Sequence, residues 1–367
     1  VGSSSGRRQR ATASLPPRAG AGGGAGALAV AGAGRVQLQP RRAAGGVQLR
    51  RLQLRHGRHG GGQGVAHRAA GGPRLLPPPH RPLLRESLNI SYLSPYLKAI
   101  GSNYSNGVNF AISGSTTLPR EALFVLHGQV QEFFFFKARS LELINQGQEA
   151  PIDAEAFQNA LYIIDIGQND INALLSNLPY DQVVAKLPPI LAEIKYAVQL
   201  LYGNGSRNFW IHGTGALGCL PQKLSIPRKN DSDLDQNGCL NTYNRAAVAF
   251  NTALGSLCDQ LNVELKNAAV VYTDLFAIKY DLVANHTKYG FDSPLMTCCG
   301  YGGPPYNYDL SRSCQSSNST VCADGSKFIS WDGVHLTEAA NAVVAAAILS
   351  SAYSRPKIKF DQFCKAR

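Results

Sequence analysis

The 367-residue sequence predicts an α/β domain, a parallel sheet covered by helices, carried by residues 86–367. Three observations predict it. From residue 107 onward, short apolar runs of strand length alternate with longer segments of helical period, the pattern of repeated strand-helix-strand units. All aromatic residues and all eight Cys lie in this part, so it alone can bury a large core. Short Gly-containing polar loops follow the first two apolar runs, at the place where an open parallel sheet carries its site.

The elements follow in order. A strand is expected at 108–112, and the loop Ser113-Gly114-Ser115-Thr116 comes after it. A helix is expected over 121–144, with the four consecutive Phe at 133–136 read as a densely packed core face. The second strand, 161–166, runs into Gly167-Gln168-Asn169-Asp170. A helical segment over 182–202 contains Pro188 and Pro189 and is expected to break or kink there. A strand at 208–212, a helix at 236–265 and a strand at 269–275 follow. The last helix, 337–351, starts at Thr337, a suitable N-cap before Glu338 and an Ala-rich run.

The formal net charge of +12 belongs to one end of the chain. Residues 1–85 hold fifteen of the 36 basic residues, all Arg, with no Lys, no acid and no aromatic side chain; the remainder sets 21 basic against all 24 acidic residues and is mildly acidic. A nucleic-acid-binding tail would be expected to mix in Lys, aromatic residues or repeated Arg-Gly-Gly units. None is present, so nucleic acid is not an expected partner, and binding of another polyanion through the leader is the weakest alternative. Composition instead predicts a solvated leader, residues 1–85, that buries almost nothing. Its Ala/Gly stretch at 20–34 lacks the Leu/Phe density of a secretory signal, and no apolar run reaches membrane-spanning length, so stable membrane insertion is not expected.

Cysteine usage and sequons point to an oxidising, secretory history. Cys219, Cys239, Cys258, Cys298, Cys299, Cys314, Cys322 and Cys364 allow up to four bridges whose pairing spacing does not define. Asn-x-Ser/Thr sequons begin at Asn89, Asn103, Asn204, Asn230, Asn285 and Asn318. No Cys-x-x-Cys pair occurs and the His residues are scattered, so no metal site is expected.

The chemistry-bearing stretch is Trp331-Asp332-Gly333-Val334-His335, just ahead of the last helix. In a serine hydrolase an imidazole takes the nucleophile's proton, while a carboxylate on its far nitrogen fixes the tautomer and stabilises the imidazolium. Asp332 and His335 can supply both roles from one loop. Ester hydrolysis also needs donors for the oxyanion of the tetrahedral intermediate. The backbone N–H of Gly114 and the side-chain amide of Asn169 are of the right chemical type, each in a loop after a strand. Taken singly these are common turns; their order along the chain makes them one arrangement.

That arrangement, with the segments LNISYLSPYLKAIGSNYSNGVNFAISGST, IGQNDI, HGTGALGCLP, CCGYGGPPYNY and ISWDGVHLTEAAN, resembles the plant GDSL esterase/lipase family of SGNH hydrolases, in its early-nodulin-like and acetylesterase-like branch. The likeness covers about three quarters of the chain. It implies a flavodoxin-like three-layer sheet and hydrolysis of acyl or acetyl esters through a Ser-His-Asp triad. Asp332 and His335 would be two triad members and Gly114 and Asn169 the oxyanion hole, with no cofactor and a small-molecule or polysaccharide ester as substrate. The family's proteins act outside the cell, which implies an apoplastic or cell-wall location.

The family opens with a strand ending in Gly-Asp-Ser, whose serine is the nucleophile, and no such block occurs here. The literal Gly-x-Ser-x-Gly at residues 2–6 has neither a strand before it nor a helix after it. Ser87, Ser91, Ser94 and Ser115 follow no strand that would aim them at His335. Residues 47–58 can be encoded so that a start one base later gives FNFGDSNSDTG, with the serine codon straddling Leu52 and Gln53. Residues 73–81 give a family-like RAFFRRPTG at the same offset. A frame displacement also accounts for an Arg-rich leader without Lys or acid. The expected consequence is a sheet lacking its first central strand, with unpaired backbone on both neighbours. The alternative of another class is a non-catalytic secreted protein that keeps the fold and a binding cleft.

Overall fold

The computed structural model describes residues 25–31, 93–97, 100–119, 124–312, 314, 316, 318–323 and 325–363. The chain divides into a unit of residues 1–34 and 79–367 and a second of residues 35–78, and every described residue belongs to the first.

Three strands form the parallel half of the main sheet: β5 (Leu161–Asp165), β6 (Asn208–His212) and β7 (Ala269–Thr273). They run in register, so Asp165, His212 and Thr273 lie side by side at the carboxyl edge. The runs expected at 161–166 and 208–212 are these strands within one residue. The run expected at 269–275 stops earlier, because Asp274 accepts a hydrogen bond from the Ala277 N–H (3.0 Å) and starts a helix at Leu275. The run expected at 108–112 divides into β3 (Gly107–Asn109) and β4 (Ile112–Ser113). The cause is local: the Asn109 side chain accepts from the Ala111 N–H (2.9 Å) and turns the backbone out of the ladder.

The central position of the sheet is filled. Strand β1 (Ala25–Ala31) pairs antiparallel with β5 on one side and with β3 on the other, and β4 also pairs with it. The full order is β12, β7, β6, β5, β1, β3, β2, where β2 is Ser94–Pro95 and β12 is Ser354–Arg355. The expected family strand is absent from this position, and the backbone of seven leader residues stands there instead. The physical reason is the cost of a gap: each buried backbone group left unpaired costs about 1–3 kcal/mol. The run AGALAVA is free of charge and of Pro, so it can enter a buried ladder that the Arg-rich flanks cannot. It is not the strand the resemblance implies. It runs the opposite way and carries no serine.

The two faces of the sheet carry separate cores. On one, Tyr162, Ile164, Phe209, Ile211 and Val270 pack against α1 (Leu126–Asn145), α5 (Leu187–Gly203) and α7 (Asn241–Glu264). On the other, Leu161, Trp210 and Val271 pack against α8 (Leu275–Ala284) and α9 (Glu338–Leu349). Alternation along each strand thus feeds both layers. In α1 the four-Phe run does not form one face: Phe133 and Phe136 are buried while Phe135 is 70% exposed, since four consecutive helical residues cover a full turn. The proline prediction holds: α4 (Tyr180–Ala185) ends before Lys186, and both prolines sit in the first turn of α5. Thr337 caps α9 through its hydroxyl (Ala340 N–H, 3.2 Å).

Further helices and a small sheet were not legible in the sequence. Among them are α2 (Ala154–Asn159), α3 (Gln168–Leu175), α8 and the parallel pair β8 (Ser293–Thr297) and β11 (Phe328–Ser330). The short α6 (Pro221–Leu224) lies between β6 and α7, and the hairpin of β9 (Cys299–Gly300) with β10 (Thr320–Val321) lies between β8 and β11. Among the described residues no helix is long and apolar enough to cross a membrane.

Candidate active site

The loop from Ser330 to Thr337 is built by its own side chains. Asp332 uses Oδ1 to accept the Val334 and His335 N–H groups (3.0 and 2.8 Å), which folds the turn, and Oδ2 to hold His335 Nδ1 at 2.6 Å. Gly333 sits at φ +95°, and a Cβ there would lie 2.3 Å from the Tyr308 ring, so both the turn and the packing require glycine. The Trp331 N–H closes the loop on the His335 carbonyl (2.7 Å), and the Gly333 N–H donates to Ser330 Oγ (3.0 Å).

Covalent anchors hold this loop from below. The Cys298 and Cys299 N–H groups donate to the Ser330 and Trp331 carbonyls (2.9 and 2.6 Å), and the same two residues are bridged to Cys322 and Cys314. The third bridge, Cys219–Cys239, ties the segment after β6 to the start of α7. Cys258 is a buried thiol, raised to about 12 by burial, so it is inert at neutral pH. Cys364 lies outside the described residues.

Burial by itself would raise the Asp332 carboxyl. The hydrogen bonds and charge of His335, with the Val334 and His335 N–H groups, outweigh it and hold Asp332 below the ordinary carboxylate range. An ionised Asp332 must accept rather than donate, which assigns the proton to His335 Nδ1 and leaves Nε2 as the basic nitrogen.

The two strand-end loops are tied to each other. Asn169 Nδ2 donates to the Ser115 carbonyl (2.8 Å), and Asp170, fully buried, accepts from the Thr117 N–H and hydroxyl (2.9 and 2.8 Å). The Asn169 amide therefore positions the loop of Gly114, which turns at φ +80° beside open space. Gly167, at φ +107°, lets α3 start hard against Phe250, 2.5 Å from where a Cβ would stand. A cavity lined by Gln168, Gly215, Lys279, Ser330, Val334 and Leu336 joins the loop after β5 to the Asp332–His335 loop.

Two of the serines considered as substitutes are otherwise engaged. Ser115 is buried and its hydroxyl donates to the Ile112 carbonyl (2.7 Å); the Ser94 hydroxyl donates to the Asn103 carbonyl (3.0 Å) on edge strand β2. Ser87 and Ser91, like Leu52, Gln53 and Asn89, lie outside the described residues.

A titratable cluster was not foreseen from the sequence. Asp165 and His212 face each other at the ends of β5 and β6, Oδ2 to Nδ1 4.0 Å apart, with Lys279 of α8 beside them. Burial, opposed by Lys279, raises Asp165 to about 6; burial and the Lys279 charge lower His212 to about 4. Burial also lowers Lys279, against the pull of Asp165. The signal in the sequence was two apolar strands each ending on a titratable residue. At neutral pH His212 is uncharged, so the contact is not an ion pair.

A pH dependence follows. As pH falls from 6.5 to 4 the unfolded chain protonates at His212 while the native imidazole refuses, so stability drops, by up to about 3 kcal/mol from this group. Asp165 works the other way, since its raised native value takes up a proton first. With 37% of its side chain exposed against 5% for His212, Asp165 is the more screened, and the imidazole dominates. Urea unfolding of the parent and of His212→Gln at pH 7, 5.5 and 4.5 should show the variant losing much less stability on acidification; parallel profiles contradict this.

Comparison with known proteins matches residues 63–348 to the family described as GDSL-like Lipase/Acylhydrolase. The chain is 51% identical to the GDSL esterase/lipase LIP-4 of Arabidopsis thaliana over 77% of this chain and 76% of that protein. It is 37% identical to the GDSL esterase/lipase ENOD8 of Medicago truncatula, over 77% of each, and 35% identical to an esterase of Hevea brasiliensis, over 77% of this chain and 76% of that one.

Proposed function

Because this chain belongs to the GDSL-like lipase/acylhydrolase family, whose members are carboxylic ester hydrolases, we propose that its gene specifies a secreted serine esterase and that the polypeptide as written lacks the nucleophile. The observation that carries the reading is the 2.6 Å contact between Asp332 and His335 Nδ1 in a loop that Asp332 itself folds.

In the frame-corrected protein the serine of the Gly-Asp-Ser block attacks the ester carbonyl and His335 Nε2 takes its proton. Asp332 stabilises the imidazolium that forms. The Gly114 N–H and the Asn169 amide hold the oxyanion, together with the N–H of the serine itself. His335 then protonates the leaving alcohol, and water, activated by the same imidazole, releases the acid. This route uses no metal or organic cofactor. The substrate is a small-molecule or polysaccharide ester. The test is ester hydrolysis by the chain with its block restored, compared with the same chain carrying His335→Ala.

Secretion is supported by three bridges and by sequons at exposed positions. Asn103, Asn204, Asn230, Asn285 and Asn318 all face solvent, as glycan acceptors must. For the polypeptide as written, the filled centre of the sheet favours a second reading, a folded but non-catalytic binding protein, since β1 supplies backbone partners without a nucleophile.

A further inference from the structure

The cavity between the loop after β5 and the Asp332–His335 loop measures about 40 Å³. A single water takes roughly 10–15 Å³ of such space, which leaves room for about three or four non-hydrogen atoms. Its walls are mainly apolar, with Leu217, Val283, Pro294, Ile329, Val334 and Leu336 among them. One charged side chain lines it, Lys279 of α8. Gly215 makes room for that lysine, since a Cβ there would stand 2.5 Å from Lys279 Cδ and 3.2 Å from Nζ. The backbone at Gly215 is not left-handed, so the lysine, and not a turn, accounts for the glycine.

Among the described residues the Lys279 ammonium makes no hydrogen bond and no ion pair. Asp165, the acid that acts on it, sets its Oδ2 against His212 Nδ1 at 4.0 Å instead. A charge held largely out of water without a partner is costly, and an anion brought into the cavity relieves that cost. The side-chain amide of Gln168, on the same wall, also has no hydrogen bond among the described residues and supplies a second donor. These features select one kind of ligand. A neutral ester carbonyl leaves the ammonium without a counter-charge, and a cation is repelled by it. Sulfate or phosphate calls for more donors than one ammonium and one amide, and a fatty acid exceeds the volume. Acetate has four non-hydrogen atoms, two of them oxygens for the donors and one a methyl carbon for the apolar wall.

We propose that this cavity binds a small monocarboxylate anion, of the size of acetate, with its oxygens on Lys279 and Gln168 and its carbon end against Val283 and Ile329. The assignment stands on the cavity's own residues and holds whether or not the chain hydrolyses esters. The full chain as written is titrated with ¹³C-labelled acetate at constant ionic strength, chloride being exchanged for acetate, and binding is followed by NMR line broadening. Saturable binding is expected, at least tenfold weaker in Lys279→Met with an unfolding midpoint close to the parent's. Acetamide, which has the same shape and no charge, should also bind at least tenfold more weakly. No saturable binding, or acetamide held as tightly as acetate, overturns the proposal, and neither result needs a variant that folds. A folded Lys279→Met that binds as the parent does also overturns it, since the acetate would then lie elsewhere. So does chloride that competes as well as acetate, which would leave only a general anion site. Acetate binding by a block-restored chain that hydrolyses no ester would sink the esterase reading and leave this site standing.

Discussion

On the proposed reading the chain as written is expected to hydrolyse 4-nitrophenyl acetate no faster than its His335→Ala variant, and the chain with Gly-Asp-Ser restored is expected to exceed both by about 10⁴-fold or more and to lose that gain on His335→Ala. The scale follows from how triads behave: losing the nucleophile or its base alone costs about as much as losing the whole triad, roughly 10⁶ in kcat. Oxyanion donors alone leave a residual acceleration of about 10³–10⁴ over water. Asp332 holds His335 Nδ1 at 2.6 Å with its carboxyl below the ordinary range, and on the proposed reading an imidazole with no hydroxyl to deprotonate does not start acyl transfer. Surface groups also cleave an activated ester slowly, so the comparison with His335→Ala, and not the bare rate, decides. Hydrolysis by the written chain that disappears in His335→Ala would mean that another residue serves as nucleophile.

The second large effect concerns stability. Ala29 lies opposite Ile163 on one side and Asn109 on the other, at the middle of the sheet. Ala29→Pro removes an N–H from a central ladder and forces a ring into it, at a cost of about 3 kcal/mol or more. A domain of this kind has about 5–15 kcal/mol in all. The urea midpoint should therefore fall sharply, or the cooperative transition vanish. An unchanged midpoint would show that residues 25–31 do not complete the sheet. In the block-restored chain the family strand competes for the same position, and the same substitution should then have little effect. That contrast separates a structural leader from a substitute one.

The parallel half of the fold was legible because its strands are short apolar runs with both faces buried, and β5 and β6 stand where periodicity puts them. Pro188 and Pro189 marked a break in the helical segment for a purely local reason, and a new helix starts there. What escaped was decided at long range. No local signal in AGALAVA says that it will lie between β3 and β5; the vacancy does. Asp332 and His335 stood out in the sequence as a carboxylate and an imidazole three residues apart ahead of a helix, and in the structure that spacing closes an Asx-type turn. The partner of the Asn169 amide, the use of Asp170 as a clamp on Thr117, and the meeting of Asp165, His212 and Lys279 depend on loops brought together only by the sheet.

The most direct test of the central claim, that an esterase gene is read here out of frame, is the sequence of the native full-length transcript and its genomic DNA across the codons for residues 45–88. A one-base shift that restores Gly-Asp-Ser over the codons of Leu52 and Gln53, in frame with Asn89 and all that follows, is the predicted result. A mature transcript that confirms the written frame, with no concealed Gly-Asp-Ser, contradicts it and makes the non-catalytic binding protein the reading of this chain.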